Sequence, residues 1–265
     1  MSLIEVDEAR TIILEKIQPL GVEKVSINDA LGRVLAEDII SGVNNPPMDN
    51  SAMDGYALIA GDIQTATPET PVALEMVDEI AAGYASDITL KAGQAMRIMT
   101  GAPIPRGADA VIMQEDTEKN GAHVLVKDRA DVGENIREAG EDVRIGDIVI
   151  GKGAPLSPAQ IGMLAVVGRS QVYVGQRPKV AILSTGDEIM ELDQARTGPC
   201  IYNSNGYMLM AQIRSAGAIP CYLGIARDTE EDLMEKFTWA LKCDLVVSSG
   251  GVSVGDYDLV KASLH

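Results

Sequence analysis

The chain has 265 residues, 46% of them hydrophobic, which is enough for two or three compact units and excludes a largely disordered protein. Only 3% are aromatic, so the core must be packed by aliphatic side chains and Met, a bias common where helices cover a parallel sheet. A net charge of -17 excludes non-specific binding to nucleic acid or an anionic membrane, but leaves room for a small phosphorylated ligand held by backbone N–H groups and a divalent cation.

In chain order, Val6, Ala9, Ile12, Ile13 and Ile17 fall on one helical face, and a Pro-Leu-Gly run at 19–21 ends the pattern. A second short helix is expected from Ser26, where Ser26 and Asp29 resemble a capping box with Asp in place of Glu. From 56 to about 127 the sequence changes to short apolar runs broken by Gly, Pro and Asp, which reads as a β-rich insert. Ser157, Pro158 and Gln160 then supply a cap, a first-turn proline and a matching Gln, with Gly168 closing that helix. Helices on both sides of the insert make 1–44 and 141–176 one discontinuous domain around a β-rich domain at 45–140.

Beyond Arg177 and Pro178 the order is strand 180–183, helix 206–216, strand 219–223, helix 229–241 and strand 245–248. This βαβαβ succession predicts a doubly wound parallel α/β domain over 177–265. A further helix is expected from Asp256, and the chain ends within it, so that domain reads as incomplete. Cys200, Cys221 and Cys243 are odd in number and lack C-x-x-C spacing, against a disulfide framework or structural zinc. With no signal-like N-terminus and no apolar run approaching the ~18 residues of a membrane span, the chain reads as soluble and cytoplasmic.

Ligands of open α/β sheets sit beyond the carboxyl ends of the strands, so the loops after the first and third strands draw attention. The first carries Ser184, Thr185, Gly186, Asp187 and Glu188, and the second reads SSGGVSVG over 248–255. Hydroxyls, flexible backbone N–H groups and carboxylates together suit a phosphate or phosphoanhydride. The second loop has P-loop glycine spacing, but Asp256 and Tyr257 stand where Lys and Ser or Thr are required. No G-x-G-x-x-G follows a strand, which leaves a nicotinamide dinucleotide without support. Tight strand-to-helix turns are the plain structural alternative for either loop taken alone, and the Asn, Asp and Pro of 44–57 are what any irregular loop uses. Carboxylates and hydroxyls, with only two histidines in the chain, favour Mg2+ over zinc or Cys-His chemistry.

Five segments occur in order: PMDNSAMDGYA at 47–57, RIMTGAPIP at 97–105, IREAGED at 136–142, STGDE at 184–188 and SGGVSVG at 249–255. Together they resemble the MoeA and gephyrin E-domain family of molybdopterin molybdenumtransferases, the first being the most specific. The resemblance implies a homodimer that converts adenylylated molybdopterin and molybdate to molybdenum cofactor with release of AMP, helped by Mg2+. It casts 1–44 with 141–176 as a linker and dimerisation domain and 177–265 as the N-terminal part of a molybdopterin-binding domain. Carried over by segment, Asp54, Thr100, Asp142 and Glu188 are the implied catalytic residues, and Glu188 and Asp258 the implied metal ligands. Arg137, Ser184, Thr185, Gly186, Asp228, Ser249, Gly250, Gly251, Ser253 and Asp258 are the implied cofactor-binding set.

Family members continue into the rest of the pterin-binding domain and a β-barrel-like domain, so the chain reads as C-terminally truncated, and its activity alone is left open. A molybdopterin adenylyltransferase is an implied partner. A pterin-binding scaffold or partner-binding module of the gephyrin type stands as the alternative. A third reading, an adenylyltransferase or a nicotinamide-nucleotide-processing relative sharing the sheet domain, is opposed by the large N-terminal region with its MDGY at 53–56.

Overall fold

The computed structural model describes residues 4–196 and 198–250. The first part of the chain holds α1 (Val6–Lys16), β1 (Val22–Ser26), β2 (Gly55–Leu58), β3 (Val72–Ile80), β4 (Gln94–Ile98), β5 (Ala110–Met113), β6 (Thr117–Asn120) and β7 (His123–Val126). It continues through α2 (Pro158–Val166), β8 (Gln171–Gly175), β9 (Lys179–Thr185), α3 (Ser204–Ser215), β10 (Ile219–Ala226), α4 (Glu230–Ala240) and β11 (Leu245–Ser249). The described residues fall into two compact units, one drawn from 4–37, Lys152–Ile161, 170–196 and 198–250, the other from Asp38–Gly151 and Gly162–Arg169. Among the described residues, no helix is long and apolar enough to cross a membrane.

In the first unit, β1 and β8 pair antiparallel from Val22 with Gly175 to Ser26 with Gln171, closing the chain on itself across the whole intervening segment. Beside this ladder the Arg33 guanidinium is buried and donates to the Glu23 carboxylate and, at 2.6 Å, to the Gly175 carbonyl. The helix expected from Ser26 is only a three-residue 3-10 turn, Ile27–Asp29. Ser26 does cap it, accepting from the Asn28 N–H at 3.3 Å, but the N–H groups that follow are claimed elsewhere. Gly32 donates to the Leu156 carbonyl at 2.8 Å and Leu35 to Ala154 at 2.9 Å, so long-range backbone pairing overrides the local signal. Helix α1 forms where its periodicity places it, yet none of its residues is buried: Ile13 is 57% exposed, because a 3.6-residue stripe specifies a face and not its neighbour.

The parallel sheet of this unit has the order β10-β9-β11, both neighbours parallel to the central strand. β9 is buried along six of its seven residues, as a strand covered on both faces should be. Ala181 and Leu183 face Leu233, Phe237 and Ala240 of α4. Ser184, of opposite parity, reaches Asn203, the N-cap of α3. Helices therefore serve both faces of the sheet, and the strand order reverses at β9, the doubly wound arrangement expected from the sequence.

The second unit is built on a six-stranded mixed sheet of order β5-β2-β4-β3-β7-β6, in which only β3 and β4 run parallel. All four residues of β2 are buried, and their alternation divides two cores. Tyr56 and Leu58 pack with Leu74, Ile112, Val124 and Val126 on one face; Ala57 packs with Ile80, Met96, Ile98 and Val111 on the other. At α2 the local reading holds in detail: Ser157 donates through its backbone N–H, at 3.2 Å, and its hydroxyl to Gln160 Oε1. Gly168, at φ +72°, closes the helix.

Candidate functional site

Parallel pairing of β9 with β11 sets Ser184 opposite Ser249, so the two loops singled out by sequence leave the sheet side by side. Ser249 Oγ donates to Ser184 Oγ at 3.1 Å. Two glycines let the loops close together. Gly250 has φ +125°, and a Cβ there would lie 2.7 Å from Thr185 Oγ1. Gly186 has φ +137°, and a Cβ there would lie 2.5 Å from the Glu188 carboxylate. Both backbone conformations are ones that L side chains rarely adopt, so glycine is required by conformation as well as by space.

Ser184 and Thr185 are buried, whereas Glu188 and Asp228 are exposed. The loop after β10 is laced to the first loop by Arg227, given no role in the sequence reading, and by the backbone of Asp228. Arg227 donates to the carbonyls of Asp187 and Ile189, at 3.2 and 3.3 Å, and the Asp228 N–H reaches Asp187 Oδ1 at 3.5 Å. The structure thus brings Ser184, Thr185, Gly186, Glu188, Asp228, Ser249 and Gly250 to one end of one sheet. Gly251, Ser253 and Asp258 lie outside the described residues. Among the described residues, no group of three or more His, Cys, Asp or Glu side chains could hold a metal ion.

The remaining candidates lie in the second unit. Thr100 donates its backbone N–H and its hydroxyl to Asp54 Oδ1 at 2.7 and 2.8 Å. The Thr100 N–H first and its hydroxyl second, helped by the Arg97 charge, hold the Asp54 carboxyl below the usual carboxylate range. Arg97 is itself fixed, donating to the Gly55 carbonyl at 3.0 Å and to Gln114, with its guanidinium 5.1 Å from the centre of the Tyr56 ring. Arg137 pairs with Asn50 in a two-residue ladder, and Asp142 accepts from Asn45 Nδ2 at 3.2 Å.

Most polar side chains of the 44–57 loop are clamps. Asn44 accepts from the Ile145 N–H at 2.9 Å, and Asp49 from the Ala139 N–H at 2.8 Å, tying this loop to the segment that carries Arg137 and Asp142. The plain structural reading of that composition therefore accounts for Asn44, Asn45 and Asp49. Asn50 differs, since its Oδ1 is buried with no hydrogen-bond partner.

Residues 4–168, more than half of the chain, match the family described as the MoeA N-terminal region (domain I and II). The chain belongs to the MoeA family. Residues 181–265 match a family described as a probable molybdopterin binding domain. A molybdopterin molybdenumtransferase from Nostoc sp. is 43% identical over 239 residues, covering 90% of this chain and 55% of that protein. One from Bacillus subtilis is 40% identical over 264 residues, covering 98% of this chain and 61% of that protein. The crystal structure of a molybdopterin biosynthesis MoeA protein from Pyrococcus horikoshii OT3 superposes with a TM-score of 0.88 at 35% identity, covering 94% of this chain and 67% of that one. This MoeA-family chain therefore spans a little over half of the length of the curated relatives it matches. Its loop pair at Ser184 and Ser249 falls in the part matched to molybdopterin binding, and its Asp54–Thr100 pair in the part matched to the N-terminal region.

Proposed function

We propose that this protein is a molybdopterin molybdenumtransferase, which inserts molybdate into adenylylated molybdopterin and releases AMP, and that it works as a cytoplasmic homodimer receiving its substrate from a molybdopterin adenylyltransferase. The observation that carries the reading is the side-by-side exit of the Ser184–Glu188 and Ser249–Gly250 loops from adjacent parallel strands, within the segment matched to molybdopterin binding. Such crevices beyond the carboxyl ends of strands are where doubly wound sheets take their ligands.

In this reading 177–265 is the molybdopterin-binding domain, 45–140 the β-rich insert, and 1–44 with 141–176 the linker and dimerisation domain. Backbone N–H groups beside Gly186 and Gly250, with the hydroxyl of Thr185, hold the phosphates, and Ser249 contributes through its backbone, its hydroxyl proton being donated to Ser184. Asp228, in the loop after β10, accepts from ligand N–H or O–H groups beside the phosphates. Mg2+ is commonly held by one or two carboxylates together with substrate phosphates and water, so the exposed carboxylate of Glu188 fits it, with Asp258 as the second. When bound, that cation supplies positive charge against the phosphates. Asp54 and Thr100 act on the molybdate side, with Asp142 and the cationic Arg137 beside them. Asp54, held ionised by Thr100, is an anionic hydrogen-bond acceptor for the dithiolene thiols, whose protons pass to molybdate oxygens that leave as water when the Mo–S bonds form.

The test is molybdate-dependent AMP release by the full-length protein. Asp54→Ala and Glu188→Ala should each abolish it; full retention of activity by either variant removes that residue from the mechanism.

A further inference from the structure

Five side chains from four segments form one hydrogen-bonded line that begins at the candidate ligand loop. Ser249 Oγ donates to Ser184 Oγ at 3.1 Å, and Ser184 donates to Asn203 Oδ1 at 2.9 Å. Asn203 Nδ2 donates to the Tyr222 hydroxyl oxygen at 2.6 Å, and that hydroxyl donates to Glu191 Oε1 at 2.7 Å. Tyr207 donates to the other Glu191 oxygen at 3.3 Å, its ring centre 5.8 Å from that of Tyr222.

The inner part of this line can point only one way. The Gly206 N–H can only donate, and it is bonded to Asn203 Oδ1 at 3.0 Å. Asn203 must then turn its amide nitrogen to Tyr222, which accepts there and has its one proton left for Glu191. Burial first, and the Glu191 carboxylate second, push the Tyr222 hydroxyl well above its ordinary pKa, so that proton stays on the ring oxygen. Ser184 and Asn203 are both buried, at 0% and 2% exposure, so neither exchanges its partner for bulk water.

We propose that Asn203 and Tyr222 are positioning residues for the ligand loop, holding Ser184, and through it the Ser249 hydroxyl that donates to it, in the single arrangement that presents the Ser249–Gly250 backbone to ligand. Neither touches the ligand. The proposal rests on the reading that the β9 and β11 loops hold the adenylylated pterin. It deepens that reading by extending the site to two residues behind it on α3 and β10.

The experiment is calorimetric binding of AMP with Mg2+ to the full-length protein and to a double-mutant cycle of Tyr222→Phe and Ser249→Ala. Tyr222→Phe keeps the ring and removes only the hydroxyl. It should raise the AMP Kd about tenfold, the scale of one ordered hydrogen bond, and change it less than about twofold when Ser249 is already Ala. Thermal midpoints of the same proteins report the purely structural part, and Tyr222→Phe should lower them equally in both backgrounds. Should Tyr222→Phe not fold, Glu191→Ala removes the acceptor of the Tyr222 proton from the exposed end, and the same non-additivity with Ser249→Ala is expected. An unchanged Kd, or an equal loss of affinity in both backgrounds, overturns the proposal while leaving the ligand reading intact. Wild-type protein that binds no AMP overturns the ligand reading, and this proposal with it.

Discussion

Thr100 places its backbone N–H and its hydroxyl on one and the same oxygen of Asp54, at 2.7 and 2.8 Å. The carboxylate is exposed, so these bonds change its titration rather than bury it. Thr100→Val removes the hydroxyl and keeps the N–H, and should move the Asp54 pKa part of the way back to its ordinary value. Thr100→Ser should leave it where it is. NMR titration of the Asp54 carboxyl carbon reads both. The sign for stability follows from the lowered folded-state value. The stabilisation is fully present above the unfolded-state pKa of about 3.9 and is lost only as pH falls through the lower folded-state value. Unfolding midpoints of wild type and Thr100→Val should therefore converge at strongly acid pH; a gap that grew on acidification would contradict this account.

Gly186→Ala tests the loop geometry. Its φ of +137° lies where essentially only glycine is at ease, and strain of that kind costs about 1–3 kcal/mol. The new Cβ would also displace the Glu188 carboxylate from its place 2.5 Å away. Urea unfolding should record the destabilisation. AMP release should fall toward the level of Glu188→Ala, and unimpaired release would mean that the Glu188 position is unimportant.

Phe237 is the chain's single phenylalanine and is 5% exposed, packed through α4 onto Ala181 and Leu183 of the central strand. Phe237→Ala removes a whole ring from a small aliphatic core and should cost about 3–5 kcal/mol. Because α4 sits on the strand that carries Ser184, ligand affinity should decline with stability. A loss below about 1 kcal/mol would show that this layer of the sheet is not the core it is described to be.

Glu23 and Arg33 make a fourth test. The Arg33 guanidinium is 7% exposed and, among the described residues, donates to the Glu23 carboxylate and the Gly175 carbonyl. Glu23→Ala leaves a buried cation with half of its bonding and should destabilise by about 1–3 kcal/mol, little relieved by added salt. Denaturant midpoints at low and high ionic strength decide it, and a strongly salt-dependent effect would mark the pair as an ordinary surface bridge.

Local signals in this protein were legible where the physics is local. The Ser157–Gln160 cap, the glycine stop at Gly168 and the βαβαβ order from 179 to 249 follow from side-chain reach over three or four residues and from alternation of period two or 3.6. The five ordered segments were equally legible, and they led to the family that the chain belongs to.

What sequence did not disclose is who meets whom. Ser26 announced a helix, and only the pairing of Gly32 and Leu35 with residues 154–156 cut it to a single turn. The 44–57 loop read either as part of a site or as an ordinary irregular loop, and folding divides it into clamps on 139–145 and one exposed carboxylate beside Thr100. Asn203, Tyr222 and Glu191 carried no recognisable pattern at all, since hydrogen bonds have direction and an obligate donor such as the Gly206 N–H but no sequence period. The amino-acid order by itself determined the family and the elements whose signals are local, such as α2 and the βαβαβ run. Long-range pairing of strands decided which hydroxyls, amides and carboxylates share one oxygen, because that contact depends on register between segments and not on their spacing along the chain.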